Sequence, residues 1–258
     1  CRRQTGQHWF WFQRGYCWKG YLVKYEHYCY LANLFDFPNN EFHAKARMAV
    51  SSLAERYPLT AAKIKEFSEG IPKDVLDLQE LYTRTFDVQA ITTLDVGYVM
   101  FGDDYKRAEL LTNLTREHRE ADNECRGELP DHLPNVLRLM PKLKDQELLA
   151  ELVSEIMVPA LLLMIREFDS ERMSKKAISY RTHYKTLIDQ ASGTQATIYC
   201  LALGALLETI KADFSVSENI EKLESWSENK PRADFLGLVE KEMEIETNSN
   251  PVNSGQDS

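Results

Sequence analysis

Apolar residues recur every three to four positions along most of the chain, and this spacing predicts helices. Val75, Leu78, Tyr82 and Phe86, for example, fall on one stripe of a single predicted helix. Alternating runs rich in Val and Ile, which would predict strands, do not occur between residues 22 and 213. The pattern therefore predicts an all-α protein, a single-domain helical bundle of about nine to eleven helices.

Turn and capping residues predict where these helices begin and end. Asn40, Thr60 and Asp131 are predicted caps, because their side-chain oxygens can accept hydrogen bonds from the first backbone N–H groups of a helix. Pro159 is predicted to kink or split its helix, because it lacks an N–H and collides with the preceding turn. The predicted helices span 25–35, 40–57, 60–70, 72–86, 95–101, 103–122, 131–143, 147–168, 170–190, 194–213 and, more weakly, 235–244.

The two ends of the chain differ in composition from its middle. Residues 1–21 hold three of the four tryptophans and no Asp or Glu, and they form an atypical extension. Two explanations stay open: the chain is a fragment of a longer protein, or upstream bases have been translated in error. Residues 242–258 are polar and lack aromatic residues, which predicts a disordered tail. The helical domain is therefore assigned to residues 22–241.

The net charge of −9 and the sequence pI of about 5.3 argue against a nucleic-acid partner, which needs a clustered basic surface. They suit a soluble protein whose partner is basic at the point of contact. No segment reads as a membrane span. The longest uncharged stretch, residues 190–207, begins with polar residues, and residues 156–165 are too short to cross a bilayer. No secretion signal is predicted either.

The sequence offers few candidates for catalysis or metal binding. The five cysteines are odd in number and form no C-x-x-C pair, so they are predicted to be reduced thiols, with Cys125 inert. No histidine follows a Glu by three residues, and no H-E-x-x-H motif occurs, so no metal site is predicted. Phosphate-binding glycine loops and a G-x-S-x-G elbow are also missing. His118 shares a helix face with leucines and is predicted to be packed rather than to act as a base.

Four short segments carry a family resemblance. They are Y-L-A-N-L-F-D-F-P-N-N-E-F at residues 30–42, L-Y-T-R-T-F-D at 81–87, F-G-D-D at 101–104 and G-E-L-P-D-H-L at 127–133. In this order and at these separations, the chain resembles the NarJ family, the delta-subunit assembly chaperones of respiratory nitrate reductase. That family lies within the broader TorD and DmsD class of redox-enzyme maturation chaperones. The resemblance extends from about residue 25 to residue 143.

The resemblance implies a TorD-like fold, a cytoplasmic location and a chaperone without enzymatic activity. The implied partner is the N-terminal segment of the catalytic (alpha) subunit of a molybdoenzyme, nitrate reductase first among the candidates. The chaperone would support insertion of the molybdenum bis-guanine-dinucleotide cofactor and assembly of the complex before membrane docking. It would hold no cofactor stably itself, bind no nucleic acid and insert into no membrane.

The resemblance also implies client-binding residues. It assigns that role to Pro130, Asp131 and His132, and the neighbouring Glu128 and Leu129 are weaker candidates. In physical terms, Asp131 could pair with a basic client residue, and His132 could hydrogen-bond to a client backbone. The alternative is helix punctuation, in which Pro130 ends the loop and Asp131 caps the next helix.

Three aromatic residues read either as core or as the floor of a client groove, namely Tyr82, Phe86 and Phe101. Two other functions also stay open. The chain could be a permanent structural delta subunit of a membrane-associated oxidoreductase complex, or an enzyme whose bundle site has no recognised motif.

Overall fold

The computed structural model describes residues 25–184 and 197–216. These residues form a single-domain all-α bundle, as predicted. They contain eleven α-helices: His27–Ala32 (α1), Phe42–Leu53 (α2), Pro58–Gly70 (α3), Val75–Phe86 (α4), Val96–Phe101 (α5), Tyr105–Glu120 (α6), Leu133–Leu139 (α7), Gln146–Glu151 (α8), Val158–Arg166 (α9), Ser170–Tyr184 (α10) and Ile198–Phe214 (α11). A 3₁₀ turn at Met140–Lys142 follows α7, and a π-helical turn at Leu152–Met157 joins α8 to α9.

Several predicted helix starts are wrong by two or three residues, and the reason is the identity of the capping group. Asn39 rather than Asn40 helps to start α2, because its Oδ1 accepts a hydrogen bond from the backbone N–H of Glu41 at 3.0 Å. Thr60 lies inside α3 and is buried. Asp74 rather than Pro72 precedes α4, and its carboxylate accepts hydrogen bonds from two backbone N–H groups of the first turn.

Other predicted boundaries are confirmed. Gly102 ends α5 at φ +60°, a backbone conformation that favours glycine. Asp104 then caps α6 by accepting a hydrogen bond from the N–H of Lys106 at 2.9 Å. Glycine and aspartate therefore act here as the ordinary stop and start signals of helices.

Pro159 interrupts its helix as predicted, and the interruption takes the form of the π-helical turn at Leu152–Met157. Proline has no N–H to donate to the carbonyl of Glu155 and its ring crowds that carbonyl, so the helix widens just before it. Residues Gln146–Arg166 together form one helical stretch that is long and apolar enough to cross a membrane, by length and composition alone. Here α9 packs against α5 and α11 in the bundle.

The last described helix, α11, lies at the centre of the bundle and packs against α3 and α9. Its Tyr199 is fully buried in an aromatic cluster, with ring centroids 4.8 Å from Phe86, 5.1 Å from Phe67 and 6.1 Å from Tyr82. Gly70 at the end of α3 leaves room for Ile198, because a Cβ there would lie 2.7 Å from the Ile198 Cδ1 atom.

A buried carboxylate joins the two ends of the described chain. Asp213, near the end of α11, accepts hydrogen bonds from His27 Nε2 and the Tyr28 hydroxyl, both at 2.8 Å, and from the Tyr57 hydroxyl. Arg56 adds an ion pair at 3.1 Å. Burial alone would raise the pKa of Asp213, but the hydrogen bonds from His27, Tyr57 and Tyr28 outweigh it and lower that pKa.

Some predictions concern residues that the structure does not describe. They are the extension at residues 1–21, the tail at residues 242–258, the weak helix near residues 235–244, and the stretch from residue 185 to residue 196 at the junction of the last two long helices.

Candidate functional site

The segment with the strongest family resemblance forms the connection between α6 and α7, here called the site loop (residues 123–132). Arg126 and Gly127 turn the chain at φ +53° and φ +89°. Glu128 is exposed and the Leu129 side chain is 46% exposed, while Pro130 and His132 are half-buried. Asp131 is 0% exposed. The five predicted site residues therefore divide into an outward tip, Glu128 and Leu129, and an inward base.

Backbone hydrogen bonds attach the base of the site loop to the strand-like residues before α5. The N–H of Val96 donates to the carbonyl of Asp131 at 3.0 Å, and the N–H of Leu133 donates to the carbonyl of Leu94 at 2.9 Å. These bonds form an isolated antiparallel bridge between Asp95 and His132. The bridge places the last two site residues against the residues that begin α5.

Side chains add an ionic cluster at the same place, made of Asp95, Arg107, Asp131 and His132. Arg107 donates from Nε to Asp131 Oδ2 and from a terminal nitrogen to Asp95 Oδ2, each at 3.1 Å. His132 Nδ1 donates to Asp95 Oδ1 at 3.0 Å. Burial alone would raise the pKa of Asp95, but the hydrogen bond and charge of His132 and the charge of Arg107 lower it.

Asp131 is the least solvated member of this cluster. Its pKa is raised, first by burial and then by the nearby charge of Asp95, although Arg107 opposes both. Its Oδ1 atom is buried and has no hydrogen-bond partner. The close approach of α5 leaves little space, because a Cβ on Gly97 would lie 2.6 Å from Asp131 Oδ2.

The prediction that Asp131 caps the next helix is wrong. His132 occupies the N-cap position of α7, and no side chain caps that helix. Asp131 turns inward instead, because Arg107 offers it a charged partner across the α6–α7 connection. Its carboxylate is therefore not displayed at the surface, where a client side chain would meet it. Pro134 does lie in the first turn of α7, as predicted.

A second network of hydrogen bonds holds the middle of the site loop in place. His118 is buried, donates from Nε2 to the carbonyl of Pro130 at 3.0 Å, and accepts at Nδ1 from the Asn123 amide at 2.9 Å. This pairing identifies the neutral tautomer with the proton on Nε2. Burial lowers the pKa of His118, and the positive charge of Lys142 acts in the same direction. His118 is thus packed as predicted, and it also holds the loop.

Asn135, in the first turn of α7, completes this network. Its amide donates to the carbonyls of Cys125 at 3.1 Å and Leu129 at 3.0 Å. The Asn135 side chain therefore holds the backbone carbonyls of Cys125 and Leu129, before and within the exposed tip. The tip therefore lies on a fixed base. A loop that is already ordered loses little conformational entropy when it binds a partner.

The three aromatic candidates are mostly interior, and Tyr82 among them lies near the charge of Glu128 in the site loop. Tyr82 and Phe86 are buried in the aromatic cluster around Tyr199, and the Tyr82 hydroxyl donates to the carbonyl of Phe35 at 3.0 Å. Phe101 is half-buried and packs against the core. These side chains form one layer, which can be read either as part of the core or as the floor of a groove.

An exposed aromatic residue that the sequence interpretation did not select lies above this layer. The Phe37 ring is 57% exposed and meets the Tyr82 ring edge-on, with centroids 5.5 Å apart. Phe37 belongs to the F-D-F-P turn of the resemblance, so the signal was present in the sequence. Large exposed aromatic side chains on a fixed surface are typical of protein-binding sites.

Carboxylates lie near the Tyr82 ring that Phe37 contacts. Burial, followed by the negative charges of Asp36 and Glu128 and then those of Asp87 and Asp95, raises the pKa of Tyr82. Asp36 is paired with Arg138, whereas Asp87 and Glu128 are exposed. Phe37, Tyr82, Asp87, Glu128 and Leu129 together make up this region. It combines apolar side chains with negative charge and joins the site loop to the α4 region.

A separate apolar groove runs between α6, the end of α7 and the α8–π segment, with a volume of about 500 Å³. Its walls are mainly leucine and isoleucine side chains, and its rim is polar. Leu110 at one end lies close to Gly97 and hence to the ionic cluster. The apolar wall residues are Leu110, Leu114, Leu139, Leu143, Leu148, Leu152 and Ile156.

Within residues 25–184 and 197–216, no group of three or more His, Cys, Asp or Glu side chains is arranged to hold a metal ion. Cys29, Cys125 and Cys200 are free and half-buried, and burial raises the pKa of each thiol. A raised pKa keeps a thiol protonated and weakly nucleophilic. The two remaining cysteines lie outside the described residues.

Comparison with known protein families and with curated proteins gave no match to this chain.

Proposed function

We propose that this protein is an assembly chaperone for the catalytic subunit of a nitrate reductase-type molybdoenzyme. It would bind the N-terminal segment of that subunit and support insertion of the molybdenum cofactor before membrane docking. The observation that carries the proposal is the client surface, formed by Phe37, Tyr82, Asp87, Glu128 and Leu129. Its exposed loop tip, Glu128 and Leu129, is held on a fixed base, and the exposed ring of Phe37 contacts Tyr82, which lies near the charge of Glu128.

The chemistry of the client surface suits a peptide that is both apolar and basic. Phe37 and Leu129 can receive apolar client side chains, and burying each would contribute roughly 1–3 kcal/mol. Asp87 and Glu128 are exposed carboxylates that can pair with client Lys or Arg at the rim. Such rim charges mainly speed association and select against acidic partners. The net charge of −9 acts in the same direction over longer distances.

The predicted site residues then take two different roles. Glu128 and Leu129 would touch the client, because they face outward. Asp131 and His132 would position the tip through Arg107 and Asp95, since Asp131 Oδ2 and His132 Nδ1 are hydrogen-bonded within that cluster. Pro130 would do so through its carbonyl, which accepts from His118.

The test is affinity capture from the native cytoplasm with the full chain, followed by mass spectrometry and molybdenum analysis of what is retained. Retention of a large molybdoenzyme subunit that lacks its cofactor is the expected result. Phe37→Ala and Leu129→Asp should each reduce that retention by about tenfold or more, since each removes an exposed apolar side chain of the client surface.

Matched controls are Leu59→Asp and Leu76→Asp, which change leucines that are 80% and 69% exposed in the first turns of α3 and α4. They should leave retention unchanged. Recovery of the complete, cofactor-loaded complex in fixed proportion would instead identify a permanent structural subunit. Recovery of no molybdoenzyme subunit by the parent chain would overturn the proposal.

A further inference from the structure

The apolar groove between α6, α7 and the α8–π segment is not used by the proposed client surface. Its walls are leucines, with Leu148 and Ile156 only half-buried at the opening. The π-helical turn supplies one wall, and π-turns inside α-helices are frequent at functional sites. An apolar groove of about 500 Å³ falls within the size range of ligand-binding pockets.

The rim of the groove is negatively charged. It carries three carboxylates and a single guanidinium, and that guanidinium is already paired with a rim carboxylate at 3.2 Å. These residues are Glu117, Glu151, Glu155 and Arg116. An occupant that is apolar in its centre and positively charged at its ends would complement such a groove.

One segment of this chain has that composition. Residues 1–24, here called the N-terminal segment, contain five Arg or Lys and no Asp or Glu. They also contain seven aromatic residues, among them Trp9, Trp11 and Trp18. The other end of the chain does not fit, because residues 217–258 contain ten acidic and four basic residues. The composition that sets the N-terminal segment apart from the helical domain is therefore the one that matches the groove.

The point at which the N-terminal segment joins the helical domain also allows it to reach the apolar groove. The N-terminal segment joins the described chain just before α1, and α1 packs against α7 and the 3₁₀ turn that follows it. Leu139 and Leu143, on either side of that turn, line the groove. A segment of 24 residues can span up to about 80 Å when extended. Tethering would give it a high effective concentration at the groove.

We propose that the N-terminal segment docks in the apolar groove through its aromatic residues, with its basic residues against the rim carboxylates. Docking would cover leucines that are otherwise open to solvent and to unintended partners. The inference is independent of the proposed chaperone function, because it concerns a different surface and an occupant from the same chain.

Tryptophan fluorescence tests this directly, because the described residues contain no tryptophan. The full chain carrying Trp226→Phe has emission only from Trp9, Trp11 and Trp18. Docking predicts blue-shifted emission and protection from acrylamide. Glu151→Lys on the exposed rim and Leu148→Asp at the opening should each shift the emission to the red and increase quenching. Salt at about 0.5 M should weaken the protection, because it screens the rim charges.

Glu55→Lys and Leu59→Asp, which lie on the exposed faces near α2 and α3, are the matched controls and should leave the emission unchanged. Circular dichroism verifies that each variant is folded. If Leu148→Asp unfolds the chain, Glu151→Lys still tests the proposal, because it alters no buried group. Red emission in the parent would overturn the proposal and leave the groove to a separate partner. Blue emission that survives Glu151→Lys and high salt, or that is lost equally in the controls, would overturn it as well.

Discussion

Arg107 is the residue on which the base of the site loop depends, because it neutralises two carboxylates at once. Replacing it with Met leaves the carboxylate of Asp131 buried without a partner, which we expect to lower the free energy of unfolding by about 3 kcal/mol. Asp131→Asn removes the buried charge instead, so its effect should be smaller, about 1 kcal/mol. Urea unfolding at neutral pH measures both values.

Arg119→Met is the control for this comparison, since Arg119 is exposed on the same helix. It should change the urea midpoint little. A larger loss for Asp131→Asn than for Arg107→Met would contradict the assignment of Arg107 as the neutralising partner.

His118 makes the site loop sensitive to acid. Its pKa is lower in the folded protein than in the unfolded chain, first because of burial. The unfolded chain therefore binds the proton first, and stability is lost as the pH falls below the unfolded value of about 6.5. We expect the urea midpoint of the parent to fall between about pH 7 and pH 5. His118→Gln, which does not titrate, should fall less over the same range.

Amide hydrogen exchange locates this effect. Faster exchange at low pH, beyond the intrinsic change in rate, is expected in the parent at the site loop, because a protonated Nδ1 atom can no longer accept the hydrogen bond from the Asn123 amide. An identical pH response of the parent and His118→Gln would show that His118 carries no such role.

At the level of elements, the π-helical turn behaves as an extra residue inserted into a regular helix. Buried residues lie on both sides of Pro159, namely Val153 and Met157 within the π-helical turn and Leu161 and Met164 in α9. Deleting Ser154 together with Pro159→Ala should produce a continuous α-helix that keeps both buried faces. Deleting Leu162 together with Pro159→Ala should rotate one face by about 100° and disrupt the core.

Far-UV circular dichroism and thermal unfolding distinguish the two deletions. The Ser154 deletion should unfold cooperatively with helix content close to that of the parent, and the Leu162 deletion should not. Equal damage from both would mean that the π-turn is not a removable insertion.

Most helices could be predicted because their apolar spacing is a local property. Gly102 and Asp104 gave correct boundaries since each acts within a few residues of its own position. Asp131 could not be read in the same way. Its local pattern fits a helix cap, but a partner 24 residues away competes for the carboxylate. The exposure of Phe37 likewise depends on packing that no local pattern records.

For the whole molecule, Asp213 joins the first and last described helices. Replacing it with Asn removes an ionised acceptor that serves His27, Tyr28 and Tyr57. We expect a loss of about 2–4 kcal/mol at neutral pH, measured by urea unfolding. Asp103→Asn, at an exposed position, is the control and should be nearly neutral.

The sign of the pH dependence follows from the lowered pKa of Asp213. Its contribution is complete above the unfolded carboxyl value of about 3.9 and is lost as the pH falls through the folded value. The difference between the parent and Asp213→Asn should therefore shrink in acid. A difference that grows in acid would contradict the assignment.

The central place of α11 has a consequence for the order of events during synthesis. The helix that fills the middle of the bundle is also the last one described, and its contacts with α1 join residues 186 and 185 positions apart. Contacts of such long sequence separation form late, because a large loop must close first. While the ribosome is still making the region before α11, the residues that pack against α11, such as Phe67 and Phe86, lack the partner that covers them in the folded protein. A protein proposed to protect another chain thus passes through a stage in which part of its own core is exposed to solvent.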